Sequence, residues 1–495
     1  MPIPVHLRDG ESSADLKTPD LVPEDLSLQE EKDLAYFVGT LDDKEDPKNF
    51  SFLRKCIIVF VVSSGALCST CASSMASFAE TGTVRQFHVP KEVSIFGVSA
   101  YVIGLAIGPL LVGPLSEVYG RNLIYRLSYF LFFALSWPVA FAPNIEVFLV
   151  FRLLTGFFSS AFLSVAGGTV SDIFTPAQTA IPMALYTLAP FIGPMLGPLI
   201  SGFINQNTDW RWTFRVLIIW VFVELLLIFV GVPETYAPVL MKFKAKKLRQ
   251  KTGDNRYYAS LDRREGSITR AIMVSCYRPF ELLILDRMNL LLDLWCSLLF
   301  GILYLAFQAF PFIFVGKHGF TIEQTGLSFI GIGIGMVSGM IVNIYIIIYT
   351  VKKAKEAGGI PSPEACLLPS KVGALLVPVS LFWLAFTTYS SIHWVVPIIA
   401  SSFFGAGFIL CFSGTFTYLV VAYRPMAASA MAANAFTRSS FAAAFPLFAG
   451  QMYTKLGTVG ATALLAGIMT LTAPLPFIFG ALGARLRAKS PFALH

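Results

Sequence analysis

Twelve windows of about twenty mainly apolar residues recur along the chain, each long enough to cross a bilayer as a helix. They begin near Cys56, Ile95, Leu123, Val147, Ile181, Phe214, Leu290, Leu327, Val372, Trp394, Ala428 and Ala461. Lipid offers backbone groups no partner, so a spanning segment must bond internally, as a helix does. The repetition predicts an all-α membrane protein with twelve transmembrane helices. Composition agrees. Of 495 residues 55% are hydrophobic and 14% are charged, too few charges to cover the soluble domains that this length would otherwise allow.

Two polar segments interrupt the series and set the expected domains. Residues 1–54 read as a disordered, acidic, cytoplasmic tail, 55–235 as a six-helix bundle and 236–287 as a basic cytoplasmic loop. Residues 288–484 read as a second six-helix bundle and 485–495 as a cytoplasmic tail. Residues 1–55 hold 13 acids and 7 bases, so the chain total of +7 leaves +13 on the remainder. That excess sits between apolar runs, where Lys and Arg mark the cytoplasmic side. It includes Lys242, Lys244, Lys246, Lys247, Arg249 and Lys251 of the central loop, and it reports orientation, with no nucleic-acid partner. Both termini are expected inside, most naturally at the plasma membrane. The seven cysteines lie mostly in or beside apolar runs, where packing explains them. All five histidines fall outside the spans, and no HExxH, P-loop or dinucleotide fingerprint occurs. No enzyme, metal or cofactor is expected.

Three motifs stand out. Gly113-Pro-Leu-Ser-Glu117-Val-Tyr-Gly120-Arg121 ends the second span. Arg152, Gly156, Ser160, Ser164 and Gly168 are spaced by four along the fourth, on one helix face. An arginine in a span is costly and must face a partner, water or the protein interior. In the fifth span Ala189, Gly193, Gly197 and Ser201 form a small-residue ridge, with Pro190, Pro194 and Pro198 in register. The eighth adds Gly331, Gly335 and Gly339.

The first motif resembles motif A of the major facilitator superfamily, GxLaDrxGrkxx, with Glu117 for the usual Asp and Val118 for the usual base. Arg152-x-x-x-Gly156 resembles motif B, and Gly193-Pro194 with Gly197 resembles the antiporter signature, motif C. Pro233-Glu-Thr-Tyr-Ala-Pro238 stands where sugar porters would show PESPR. Together the motifs are similar to the fungal drug:proton antiporter group with twelve spans. The resemblance implies two pseudo-symmetric six-helix bundles around a central cavity. It also implies proton-coupled export of small amphipathic organic compounds by alternating access, from a monomer in the lipid bilayer. Polyamine export, nutrient import and a non-transporting scaffold or sensor stay open as alternatives.

Candidate proton-coupling residues are Arg152, Glu224 and Asp293, since burial favours the neutral form of a carboxylate and lets it exchange a proton near neutral pH. The expected mechanism has Arg152 tuning one of the two acids. Gating candidates are Gly113, Glu117, Gly120, Arg121, Gly193, Pro194, Gly197, Gly331 and Gly335, with the ridges of spans five and eight facing one another across the halves. Cavity candidates are Tyr101, Tyr186, Tyr304, Gln308, Asn434 and Arg438.

Overall fold

The computed structural model describes residues 45–175, 178–254, 256–259, 261–262, 268–356, 362–488, 490 and 492. Most of the predicted acidic tail therefore lies outside the described residues. The first six spans are Phe52–Met75, Lys91–Tyr119, Arg121–Ala140, Ile145–Ile173, Ile181–Asn207 and Arg211–Gly231. The next four are Arg287–His318, Ile322–Glu356, Pro363–Phe386 and Val395–Ala422. One long helical stretch, Ala427–Arg487, follows. It is two spans, because Gly457 breaks it with φ 71° and ψ 172°, a left-handed backbone where the chain turns back. Tyr453 and Thr462 bridge that turn through their hydroxyls at 3.0 Å. The twelve expected starts thus survive, most within five residues. A Cβ at Gly457 meets open space, so backbone strain alone decides its cost. Gly457→Ala is expected to destabilise by about 1–2 kcal/mol, read as a lower Tm in detergent without loss of the fold.

The segment expected as a loop is largely helical. Ala237–Thr252 and Ile268–Leu285 are both helices. Lys, Arg, Gln and Ala, which dominate the lysine run, are good helix formers. The described residues between 241 and 262 group separately from the main body. Within them Ala245 and Ala259 are buried with Met241, Leu248 and Tyr257, and Arg249 pairs with Asp262 at 3.0 Å. In the main body, Ile268–Leu285 carries Phe280 against Phe436 of span 11 and Cys276 against the Leu110 carbonyl of span 2.

The small-residue ridges pack differently from expectation. Cβ atoms at Gly193 and Gly197 would strike Thr70 and Ser74 of span 1. Those at Gly331, Gly335 and Gly339 would strike Ile398, Ser402 and Ala406 of span 10. Each ridge therefore seats a neighbour within its own six helices, and the ridges do not face one another. Spans 5 and 8 do meet, further along. A Cβ at Gly202 would lie 3.1 Å from the Ile322 carbonyl, and one at Gly326 2.7 Å from the Pro198 carbonyl. Small residues allow close helix approach at both places; the spacing of four marks such surfaces without naming the partner.

Candidate functional site

Arg152 is 1% exposed, deep in the first six helices. Its guanidinium donates to the carbonyls of Gly97 (3.0 Å), Ala72 (3.0 Å) and Ser73 (3.2 Å). It lies over the Tyr101 ring at 4.5 Å. Gly156, one turn on, lets the Tyr101 backbone of span 2 approach. Neither Glu224 nor Asp293 is among its partners, so the sequence expectation of direct tuning finds no contact in this conformation. The Ala72 and Ser73 carbonyls are available because they lie in the last turn of the helix Phe52–Met75, where carbonyls have no intrahelical donor. Arg152→Ala would leave the carbonyls of Ala72 and Ser73, in the last turn of span 1, without a donor and is expected to cost about 3–5 kcal/mol. The readout is loss of folded protein on size-exclusion chromatography, at any pH.

The motif at the end of span 2 forms a second cluster. Gly120 has φ 98°, and a Cβ there would collide with Glu234. Glu234, from the Pro-Glu-Thr-Tyr segment, accepts from the backbone N–H groups of Arg121 (3.0 Å) and Asn122 (3.1 Å) and so caps span 3. An anion is favoured at a helix N-terminus. The Arg121 side chain reaches Asp172 at 3.2 Å and Ser116 at 2.6 Å, and it stacks on Tyr236 at 4.7 Å. Gly168 makes room for that guanidinium. Gly113 has open space around it. Glu117 is exposed and bonds to no described residue; Glu234 and Asp172 do the pairing expected of it. Sequence spacing could not find these two, since they lie more than fifty residues from Arg121.

The two intramembrane acids sit apart. Glu224 is 3% exposed and accepts from Ser64 of span 1 at 3.1 Å. Asp293 of span 7 is fully buried. One of its oxygens accepts from Asn289 at 2.8 Å and the other from Asn434 of span 11 at 2.9 Å. The side-chain oxygens of Asn289 and Asn434 find no donor.

Asn434 lies one helical turn before Arg438 on the same face. The Arg438 guanidinium is ringed by Phe300 (4.8 Å), Phe191 (5.6 Å), Phe416 (5.6 Å) and Phe412 (5.8 Å). Phe191 comes from span 5 and the others from spans 7 and 10, so the cage stands where the two sets of helices meet. Sequence reading singled out Arg438 but not these rings, because 45 phenylalanines offer no contrast.

The other cavity candidates are spread out. Tyr101 is bonded to the Ser69 carbonyl and Ser159 hydroxyl, inside the first bundle. Tyr186 donates to the Phe162 carbonyl at 2.9 Å. Tyr304 meets Ser73 at 2.8 Å, a hydroxyl pair between spans 7 and 1. Gln308 lies at the far end, donating to Glu80 at 2.9 Å, and Glu80 also pairs with Lys91 at 3.1 Å. Ser99 donates to the Ala443 carbonyl at 2.6 Å, and Phe78 packs edge-on to Phe329. These contacts, with those of Gly202 and Gly326, join spans 1, 2 and 5 to 7, 8 and 11 toward the end bearing residues 76–90. An apolar pocket lined by Ile302, Phe310, Leu381, Phe404 and Leu465 lies wholly within the second bundle and includes none of the candidate residues.

The Major Facilitator Superfamily sequence profile matches residues 62–446. The efflux pump atB of Aspergillus terreus is 45% identical over 466 residues, which cover 93% of this chain and 90% of that protein. The "Probable drug/proton antiporter YHK8" of Saccharomyces cerevisiae is 41% identical over 462 residues, 92% of this chain and 89% of that one. Among solved structures, the partially occluded, inward-open xylose transporter XylE of E. coli aligns with a TM-score of 0.61 at 18% identity. That alignment covers 86% of this chain and 97% of XylE. The all-helical architecture, with apolar helices long enough to span a bilayer, is the fold shared with that protein.

Proposed function

Since the chain belongs to the major facilitator superfamily of multi-pass membrane transporters, we propose that it exports small amphipathic organic compounds in exchange for protons. Asp293 is the proton carrier in this reading. The observation that carries it is a fully buried carboxylate held by two amides, one of which, Asn434, lies one helical turn before the caged Arg438. With Asp293 ionised, its charge offsets that of Arg438. With Asp293 protonated, Arg438 is uncompensated, and an uncompensated charge holds water against an apolar guest. Proton and guest then exclude one another, as exchange requires. The relatives named as an efflux pump and a drug/proton antiporter support the direction.

The moving halves are residues 55–235 and 288–484, working as a monomer in the plasma membrane with both termini cytoplasmic. In that orientation the end bearing residues 76–90 is extracellular, and its contacts close the outer mouth. Glu224 serves as a structural acid within the first half, and Arg152 as the internal tie that keeps spans 1, 2 and 4 together. A cationic substrate such as a polyamine is disfavoured, because the cage already holds the Arg438 guanidinium and both oxygens of Asp293 are engaged by amides. The test is transport by purified protein in vesicles with a panel of apolar compounds. Accumulation against a concentration gradient only when a pH gradient is imposed supports the exchange; equal fluxes with and without it would reject it.

A further inference from the structure

We propose that Arg438 selects the substrate class: flat apolar compounds that carry a neutral oxygen acceptor such as a carbonyl, and not cationic amphipaths. The proposal rests on the export reading for its physiological meaning, but its chemistry is a matter of binding. Arg438 makes no hydrogen bond to any described residue, and its Nε is buried without an acceptor. Every guanidinium N–H is a donor that burial obliges to find a partner. The contrast with Arg152 is direct: that arginine has three carbonyls for its three nitrogens. Arg438 has rings from Phe191, Phe300, Phe412 and Phe416 in their place.

A cation–π cage holds the guanidinium where the halves meet, yet it leaves Nε without an acceptor. A ligand that supplies the missing oxygen completes the site. The same rings supply the apolar faces on which a flat guest stacks, in offset or edge-on geometry. A positively charged guest at these rings meets the Arg438 guanidinium that they surround, while both oxygens of Asp293 are engaged by Asn289 and Asn434 and offer it no acceptor. Two features of the site thus select jointly, the donors for an acceptor and the charge against a cation.

The test uses four probes on one tricyclic body: fluorene, 9-fluorenone, fluorene-9-carboxylate and 9-aminofluorene as its ammonium ion. Equilibrium binding is measured to the full-length protein in lipid nanodiscs, with no gradient present. Fluorenone is expected to bind about tenfold tighter than fluorene, the discrimination of one hydrogen bond to a charged donor, the carboxylate no tighter than fluorenone because ionised Asp293 offsets Arg438, and the ammonium weakest of all. Arg438→Gln should bring the acceptor probes to within about threefold of fluorene and admit the ammonium, while Arg438→Lys keeps part of the preference. Fluorene binding as tightly as fluorenone, or the ammonium binding best, would overturn the proposal on wild-type protein alone, whether or not the variants fold. Acceptor preference without proton-driven flux would leave this inference standing and reject the export reading. Proton-driven flux without acceptor preference would do the reverse.

Discussion

Asp293→Asn is expected to lower gradient-driven export by about a hundredfold, the scale on which a positioned proton-transfer group acts. The amide keeps the size of the carboxyl and can still bond to Asn289 and Asn434, so the packing between spans 7 and 11 is retained. It cannot release a proton. The variant is fixed in the charge state of the proton-loaded transporter, with Arg438 uncompensated. Exchange of labelled for unlabelled substrate should fall with it, because the state that admits an apolar guest is the ionised one. Glu224→Gln is the matched comparison. It removes an acid bonded to Ser64 on span 1, away from the aromatic junction, and should change transport less than about threefold, within the modest range of a single exchanged polar contact. If Glu224→Gln uncouples export and Asp293→Asn does not, the roles of the two acids are reversed.

Gly326→Leu is expected to jam the closed end open. A Cβ at Gly326 would lie 2.7 Å from the Pro198 carbonyl and 3.3 Å from the Leu199 Cα. Both atoms belong to a helix backbone and cannot yield as a side chain does. Overpacking of this kind costs about 1–3 kcal/mol, which disfavours the closed state by a factor of about 5 to 150. Alternating access needs that state once per cycle, so turnover should fall in proportion while the folded protein persists. A cysteine at Gln308, beside Glu80 at the same end, should become more reactive to a membrane-impermeant maleimide in this background. Gly333→Leu is the control. Its Cβ meets nothing within 4 Å, and its transport should match the parent. Reduced turnover in both variants alike would mean that bulk in span 8, and not closure against span 5, is what the substitution disturbs.

The fold was largely legible in the sequence, because the bilayer imposes a length and a polarity that show in one dimension. The twelve apolar windows, the break between six and six, and the unusual cost of Arg152, Glu224, Asp293 and Arg438 could all be read from residue order. Partners could not. The small-residue ridges of spans 5 and 8 were recognisable as contact surfaces, but spacing cannot tell whether Gly193 meets Thr70 or a residue of the other half. Arg152 looked like a charge in search of an acid and is instead satisfied by three backbone carbonyls, acceptors that every residue possesses and no sequence distinguishes. Glu234 and Asp172 complete the Arg121 cluster from 113 and 51 residues away. The lysine-rich stretch after span 6 was polar enough to read as a loop, yet its side chains favour helix once the chain leaves the membrane. The rings around Arg438 were hidden for the opposite reason, since phenylalanine is common throughout the spans.

Proton–substrate exchange itself is tested most directly by watching the proton. The purified protein is reconstituted into tight vesicles with its cytoplasmic face outward and an acidic lumen, and lumenal pH is followed with a trapped indicator. Adding an acceptor-bearing substrate outside should alkalinise the lumen as protons leave and substrate enters, saturably, and Asp293→Asn should abolish the response. Substrate entry with no proton movement, or proton movement in the same direction as the substrate, would contradict exchange.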